Sequence, residues 1–153
     1  MNDQNARESI LIERIFQAPI DRVYAAWTNA QMLAQWFGPE GFVVVDVEAD
    51  CQVGGEYRIT IQSPGGQVIQ HFGQYVEVNR PNSLAFTWIL DNQECRGSAD
   101  QQCATLVTIQ LAAIGTATRV SLKHEKLPDQ IALDGHHYGW TSSLLALEAF
   151  LAK

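Results

Sequence analysis

The chain closes on Asp134-Gly-His-His-Tyr-Gly-Trp-Thr-Ser-Ser-Leu-Leu-Ala-Leu-Glu-Ala-Phe-Leu-Ala-Lys153, and the reading of this stretch decides the fold. Leu144, Leu147 and Leu151 continue a row begun by His137 and Trp140 at steps of three and four, the spacing that stacks side chains on one helical face. The leucine half is ordinary core. The first half interleaves His136, His137, Tyr138 and Trp140 with Gly135 and Gly139, giving a face that is half apolar and half hydrogen-bonding. Such a face suits a pocket wall better than a packed interior.

A helix with a leucine row needs an apolar surface to bury it, and the preceding chain supplies a sheet. From Gly41 to Glu125 the pattern has period two, broken at intervals by turn residues. Strands are expected over 42–49, 56–62, 68–78, 84–90, 104–111 and 118–125. Gly54-Gly55 permits a bulge or tight bend, and Ser63-Pro-Gly-Gly66, Asn79-Arg-Pro-Asn82 and Ile114-Gly115-Thr116 are turns. A polar segment, Asp91 to Gln102, separates two of the strands. Pro128 and Asp129 lead into the terminal helix, which at about 1.5 Å per residue is long enough to cross a curled sheet.

Upstream, Ser9 to Phe16 reads as a first strand, apolar on both sides. Pro19 supplies the fixed φ of a first helical position and Asp21 the first-turn negative charge of a helix burying Val23, Ala26 and Trp27. Thr28 or Asn29 caps a second short helix from Ala30 to Trp36, which Gly38 and Pro39 stop. The Trp36-Phe37-Gly38-Pro39 corner is expected to plug the open end of the sheet, with an exposed partner surface as the alternative. One strand, two short helices, about six consecutive strands and a long helix make the class α+β, with an antiparallel meander.

The 153 residues fit one domain, and 46% hydrophobic with 18% charged content is a normal globular balance. The net charge is −7 and no stretch gathers Lys and Arg, so nucleic acid is not an expected partner. The polar start, Met1 to Glu8, lacks the apolar run of a secretory signal, and no segment approaches the ~20 apolar residues of a membrane span. A cytoplasmic protein without membrane contact is the expectation. Cys51, Cys95 and Cys103 suggest neither a disulfide framework nor a Cys-x-x-Cys site, although Cys95 and Cys103 could approach each other in a loop.

In this order, Trp36-Phe37-Gly38-Pro39, Val53-Gly54-Gly55-Glu56-Tyr57, Gly73 before Tyr75-Val-Glu-Val-Asn-Arg-Pro81, Gly115-Thr116 with Thr118-Arg119-Val120, His124 and Gly139-Trp140 form a set. The chain resembles the family named after the activator of the Hsp90 ATPase, in the START-like superfamily that includes polyketide cyclases and the birch-pollen-allergen fold. The resemblance runs from about Ile10 to Leu151. It implies a single helix-grip domain over 9–153 after a polar tail, 1–8, in which a curved antiparallel sheet of six to seven strands wraps the terminal helix. It also implies a cavity for an apolar or amphipathic ligand. Members bind lipids, hormones or polyketides, some catalyse cyclisation or hydration, and one branch docks on a chaperone, so the fold alone assigns no activity.

Strand parity nominates the inward side chains. Tyr57, Ile59, Phe86 and Trp88 from the sheet are expected to line the cavity, with Val107, Leu122 and His124 beside them. From the helix, His137, Trp140 and Leu144 complete the wall. Leu84, Ile61, Ile109, Leu111 and Val120 share the same inward rows. His124 is the polar exception, either a ligand anchor or a buried histidine satisfied by a neighbouring group.

His136 and His137 point about 100° apart on a helix and no Glu-x-x-His set accompanies them, so no metal is expected; the partner face of His71 is unassigned. Ser142 and Ser143 carry no nucleophile motif, and Gly54-Gly55 is no phosphate loop. The expected function is non-enzymatic binding of a small hydrophobic or amphipathic molecule, without a cofactor. The alternatives are a cyclase or hydratase using His124, His137 or Tyr138 as general acid or base, and a chaperone-associated module. A homodimer is left open.

Overall fold

Burial of the leucine row organises the molecule. The computed structural model describes residues 8–90 and 104–153. Among them β1 (Glu8–Phe16), α1 (Ile20–Thr28) and α2 (Ala30–Trp36) precede β2 (Val43–Ala49), β3 (Glu56–Gln62), β4 (Val68–Asn79), β5 (Ser83–Ile89), β6 (Ala104–Ile114) and β7 (Ala117–Leu127), and α3 (Gln130–Leu151) closes the chain. The segment 91–102 expected to be a polar connection, with Cys95 inside it and Cys103 next to it, lies outside the described residues, as do residues 1–7 of the expected tail.

The seven strands form one antiparallel sheet in the order β1-β7-β6-β5-β4-β3-β2. The meander brings the first strand beside the last, leaving β1 and β2 at the edges. Trp140, Leu144, Leu147 and Leu151 of α3 join Ile109, Val120 and Leu122 of the sheet in one buried core. This is the helix-grip arrangement. The inward rows anticipated from parity are the buried ones: Leu84, Phe86 and Trp88 on β5, and Val120, Leu122 and His124 on β7.

Two local expectations need correction, and one open choice is decided. β1 is apolar on both sides in sequence, but only Ile10, Ile12 and Phe16 are buried, while Leu11 and Ile15 are 66% and 53% exposed. β1 is an edge strand paired only with β7, and the core covers one of its faces. Pro19 sits at the N-cap of α1 rather than inside it, with φ −69° and ψ 154°. Of the two candidate caps for α2, Asn29 serves: its Oδ1 accepts the Met32 N–H at 3.0 Å, whereas the Thr28 hydroxyl donates back to Tyr24 O.

The glycine bend between β2 and β3 pairs with β4. Gly54 N–H donates to Tyr75 O, and Tyr75 N–H donates to Gly55 O, both at 2.9 Å. A Cβ on Gly55 would lie 2.0 Å from Asp50 O, so only glycine allows this approach. Asp129 caps α3 through its Oδ1, which accepts the Ala132 N–H, and the helix therefore begins four residues before Asp134.

Candidate functional site

Where the glycine-bearing half of α3 faces the ends of β3, β4 and β5, the molecule holds a pocket of about 250 Å³. Trp88, Trp140 and Phe37 supply flat aromatic walls, and Ile61, Ile69 and Phe42 add aliphatic and aromatic surface. His71, His136, Ser143 and Gln67 are its polar side chains. Gly135 and Gly139 line it from the helix, and a Cβ on either would meet nothing within 4 Å. Neither glycine is imposed by a close neighbour. A glycine in a helix interior costs up to about 1 kcal/mol relative to alanine, and here the pair keeps space open.

The loop from Phe37 to Phe42 forms the opposite wall. Gly38 has φ +108° and Gly41 φ +88°, which turn the chain back sharply after α2. Two neighbouring helix serines hold this loop: Ser143 Oγ accepts Gly38 N–H at 3.2 Å, and Ser142 Oγ accepts Glu40 N–H at 2.6 Å. A groove of about 590 Å³ shares the same loop and includes Ser142, Leu145 and Ala146 of α3. It is larger, but neither Trp88, Trp140 nor any histidine lines it.

Behind the pocket lies a chain of hydrogen bonds whose direction can be assigned. The Thr105 hydroxyl donates to Trp88 O at 2.6 Å, so its oxygen must accept from His124 Nε2–H at 2.7 Å. His124 Nδ1 then accepts Trp140 Nε1–H at 3.0 Å. His124 is thus the neutral Nε2–H tautomer with both ring nitrogens used. Its pKa is held well below the ordinary histidine value, first by burial and then by the neighbouring His136 and His71. Protonation would set a second N–H against the Trp140 N–H.

His136 is assigned by the same logic. Trp88 Nε1–H donates to its Nε2 at 3.2 Å, leaving Nδ1–H to donate to Ala132 O at 2.8 Å. Both indole N–H groups at the pocket are therefore satisfied by imidazoles. His71 stacks on Trp88 with centroids 4.4 Å apart and planes at 25°. The tryptophans continue as an array, with centroids 5.1 Å apart for Trp88–Trp140, 6.1 Å for Trp27–Trp140 and 4.9 Å for Trp27–Trp36.

The site residues expected from sequence separate into groups. Trp88 and Trp140 line the pocket. Tyr57, Ile59 and Phe86 lie deeper, around a void of about 20 Å³ that Trp88 also borders. That volume is enough for about one water. Val107, Leu122 and Leu144 are packed core at 0%, 0% and 2% exposure, and they line neither space. His124 is fully buried and reaches the pocket only through the rings of Trp88, Trp140 and His136. His137 is exposed and its neighbour His136 takes the inward position. Tyr138 is 62% exposed, so His124, His137 and Tyr138 do not form a common acid–base cluster.

Sequence reasoning placed the His136 half of the helix at the wall, but not Phe37, Phe42, Ile69, His71 and Ser143. Ile69 and His71 share strand parity, a signal present in the sequence. The loop residues carry none, because their position follows from the reversal at Gly38. Plugging of the sheet end is seen in the burial of Trp36 and Phe37, with the Trp36 Nε1–H donating to Ala26 O.

A curved antiparallel sheet gripping a long C-terminal helix, with a pocket at the mouth of the grip, defines a START-like domain. Residues 17–152 match the family model described as "Activator of Hsp90 ATPase homolog 1-like protein", and the chain belongs to this family. The structure is similar to that of a protein from Chromobacterium violaceum, at 30% identity and TM-score 0.81, covering 95% of this chain and 99% of the other. The AHSA1 protein from Silicibacter pomeroyi is similar at 30% identity and TM-score 0.81, covering 95% and 98%. A protein from Nitrosomonas europaea shares the fold at 22% identity and TM-score 0.78, covering 94% of each chain. A search of curated proteins returned no match. No helix among the described residues is long and apolar enough to cross a membrane.

Proposed function

We propose that the protein is a non-enzymatic binding domain whose pocket, between the glycine-bearing half of α3, the Phe37–Phe42 loop and Trp88, holds a small hydrophobic or amphipathic molecule. The observation that carries this reading is the pair Gly135 and Gly139, which line the pocket in mid-helix with open space where their side chains would be. Helix propensity favours a side chain there, so keeping the space open opposes stability. Apolar walls with a few fixed polar groups are what a small-molecule site requires.

The proton-transfer alternative lacks a comparable observation. His124 has both nitrogens committed and a strongly depressed basicity, and His137 and Tyr138 face solvent.

Native mass spectrometry of freshly purified protein, before and after denaturation, tests the binding reading. A small molecule is expected to travel with the wild type and to be lost from Gly139→Leu, whose added side chain occupies the pocket while thermal unfolding stays cooperative. A Gly139→Leu protein that retains the same molecule would overturn the reading.

A further inference from the structure

The chemistry of the wall narrows what the pocket can accept. None of its lining residues is Asp, Glu, Lys or Arg. Of its histidines, His136 spends Nε2 on Trp88 and Nδ1 on Ala132 O, and His71 stacks on Trp88, while His124 behind the wall is fixed as the neutral tautomer. The whole molecule carries a net charge of −7. An anion entering this space finds no lysine or arginine among the lining residues and meets the field of a negatively charged molecule. Burying it without a counter-charge is far more costly than burying a neutral group.

Size and shape narrow it further. An apolar cavity of about 150 Å³ holds benzene, so the observed 250 Å³ has room for about one more fused ring and excludes a sterol or a long acyl chain. Trp88, Trp140, Phe37 and Phe42 present flat rings, and His71 already stacks in parallel on Trp88 at 4.4 Å. Flat walls favour an offset-stacked planar guest. Ser143 Oγ accepts the Gly38 N–H and keeps its own hydrogen to donate to a guest acceptor.

We propose that the ligand is a planar, non-anionic molecule of one or two fused rings carrying a hydrogen-bond acceptor, and that the pocket rejects an anionic analogue of the same shape. The proposal rests on the binding reading above and specifies its chemistry.

Two probes of one shape separate charge from shape: 2-naphthamide and 2-naphthoate, titrated into nitrogen-15-labelled protein near neutral pH. The indole N–H signals of Trp88 and Trp140 report occupancy. Naphthamide is expected to shift both with a Kd at least about tenfold below that of naphthoate. Naphthoate binding as tightly as naphthamide would overturn the charge selection while leaving the binding reading intact. Gln67→Lys, at an exposed position on the rim, supplies the absent cation and should strengthen naphthoate binding by about tenfold. An unchanged naphthoate affinity in that variant would overturn the charge argument. If neither probe moves either signal, this proposal fails, and the binding reading stands or falls on the native mass spectrometry above.

Discussion

His124 occupies the centre of the molecule as a neutral link between three elements: Thr105 on β6 accepts from it, Trp140 on α3 donates to it, and β7 carries it. Sequence parity singled out this residue because it is the polar member of an inward apolar row. Its partners were not legible, since Thr105 and Trp140 lie 19 and 16 residues away and meet it only after the sheet pairs and the helix docks. Its folded pKa lies below its unfolded value, so below about pH 6.5 the unfolded chain takes up a proton that the native state refuses. Its contribution is therefore stable above that pH and declines as pH falls. Urea unfolding between about pH 6.5 and 5 should show stability falling with a slope of up to about 1.4 kcal/mol per pH unit from this residue. His124→Leu should flatten that slope, at a cost of about 2–3 kcal/mol near neutrality because the Trp140 N–H loses its buried acceptor.

At the scale of the element, α3 shows how one helix serves two purposes. The alternation of leucines identified its clamp half correctly, and Leu144, Leu147 and Leu151 are all buried. The other half was read one residue out of phase. Joining His137 to Trp140 by a step of three put His137 inside, whereas the inward stripe runs Ala132, His136, Trp140 by steps of four. Asp129 three residues before Ala132 was the available signal, because its cap fixes where the helix begins and so which face turns inward. The two glycines make opposite demands on stability and occupancy. Gly139→Ala should raise the unfolding free energy by about 0.5–1 kcal/mol in thermal or urea denaturation, since nothing lies within 4 Å of the added methyl. The same methyl should weaken retention of a bound small molecule, measured by native mass spectrometry.

The whole molecule is a sheet held closed by a helix. Period two, regular turns and a terminal leucine row made this architecture legible, and strand bounds such as Glu56–Gln62 agree to the residue. What strand parity cannot report is whether an inward side chain meets another side chain or a space. Val107 and Leu122 face inward with Trp88, yet they are sealed in packed core while Trp88 borders the pocket. That distinction depends on how close α3 sits to each strand, a quantity set by the volumes of residues far apart in sequence. Leu147 lies fully buried at the clamp, so Leu147→Ala should destabilise the protein by about 2–5 kcal/mol in urea unfolding. A cost below about 1 kcal/mol would show that the helix does not depend on its leucine row.

The four tryptophans have a consequence for how the protein handles light. Trp36, Trp27, Trp140 and Trp88 succeed one another at centroid separations of 4.9, 6.1 and 5.1 Å. Two of the four, Trp88 and Trp140, border the pocket. The intrinsic emission of the protein therefore carries a contribution from that one site, with no dye attached and no residue replaced.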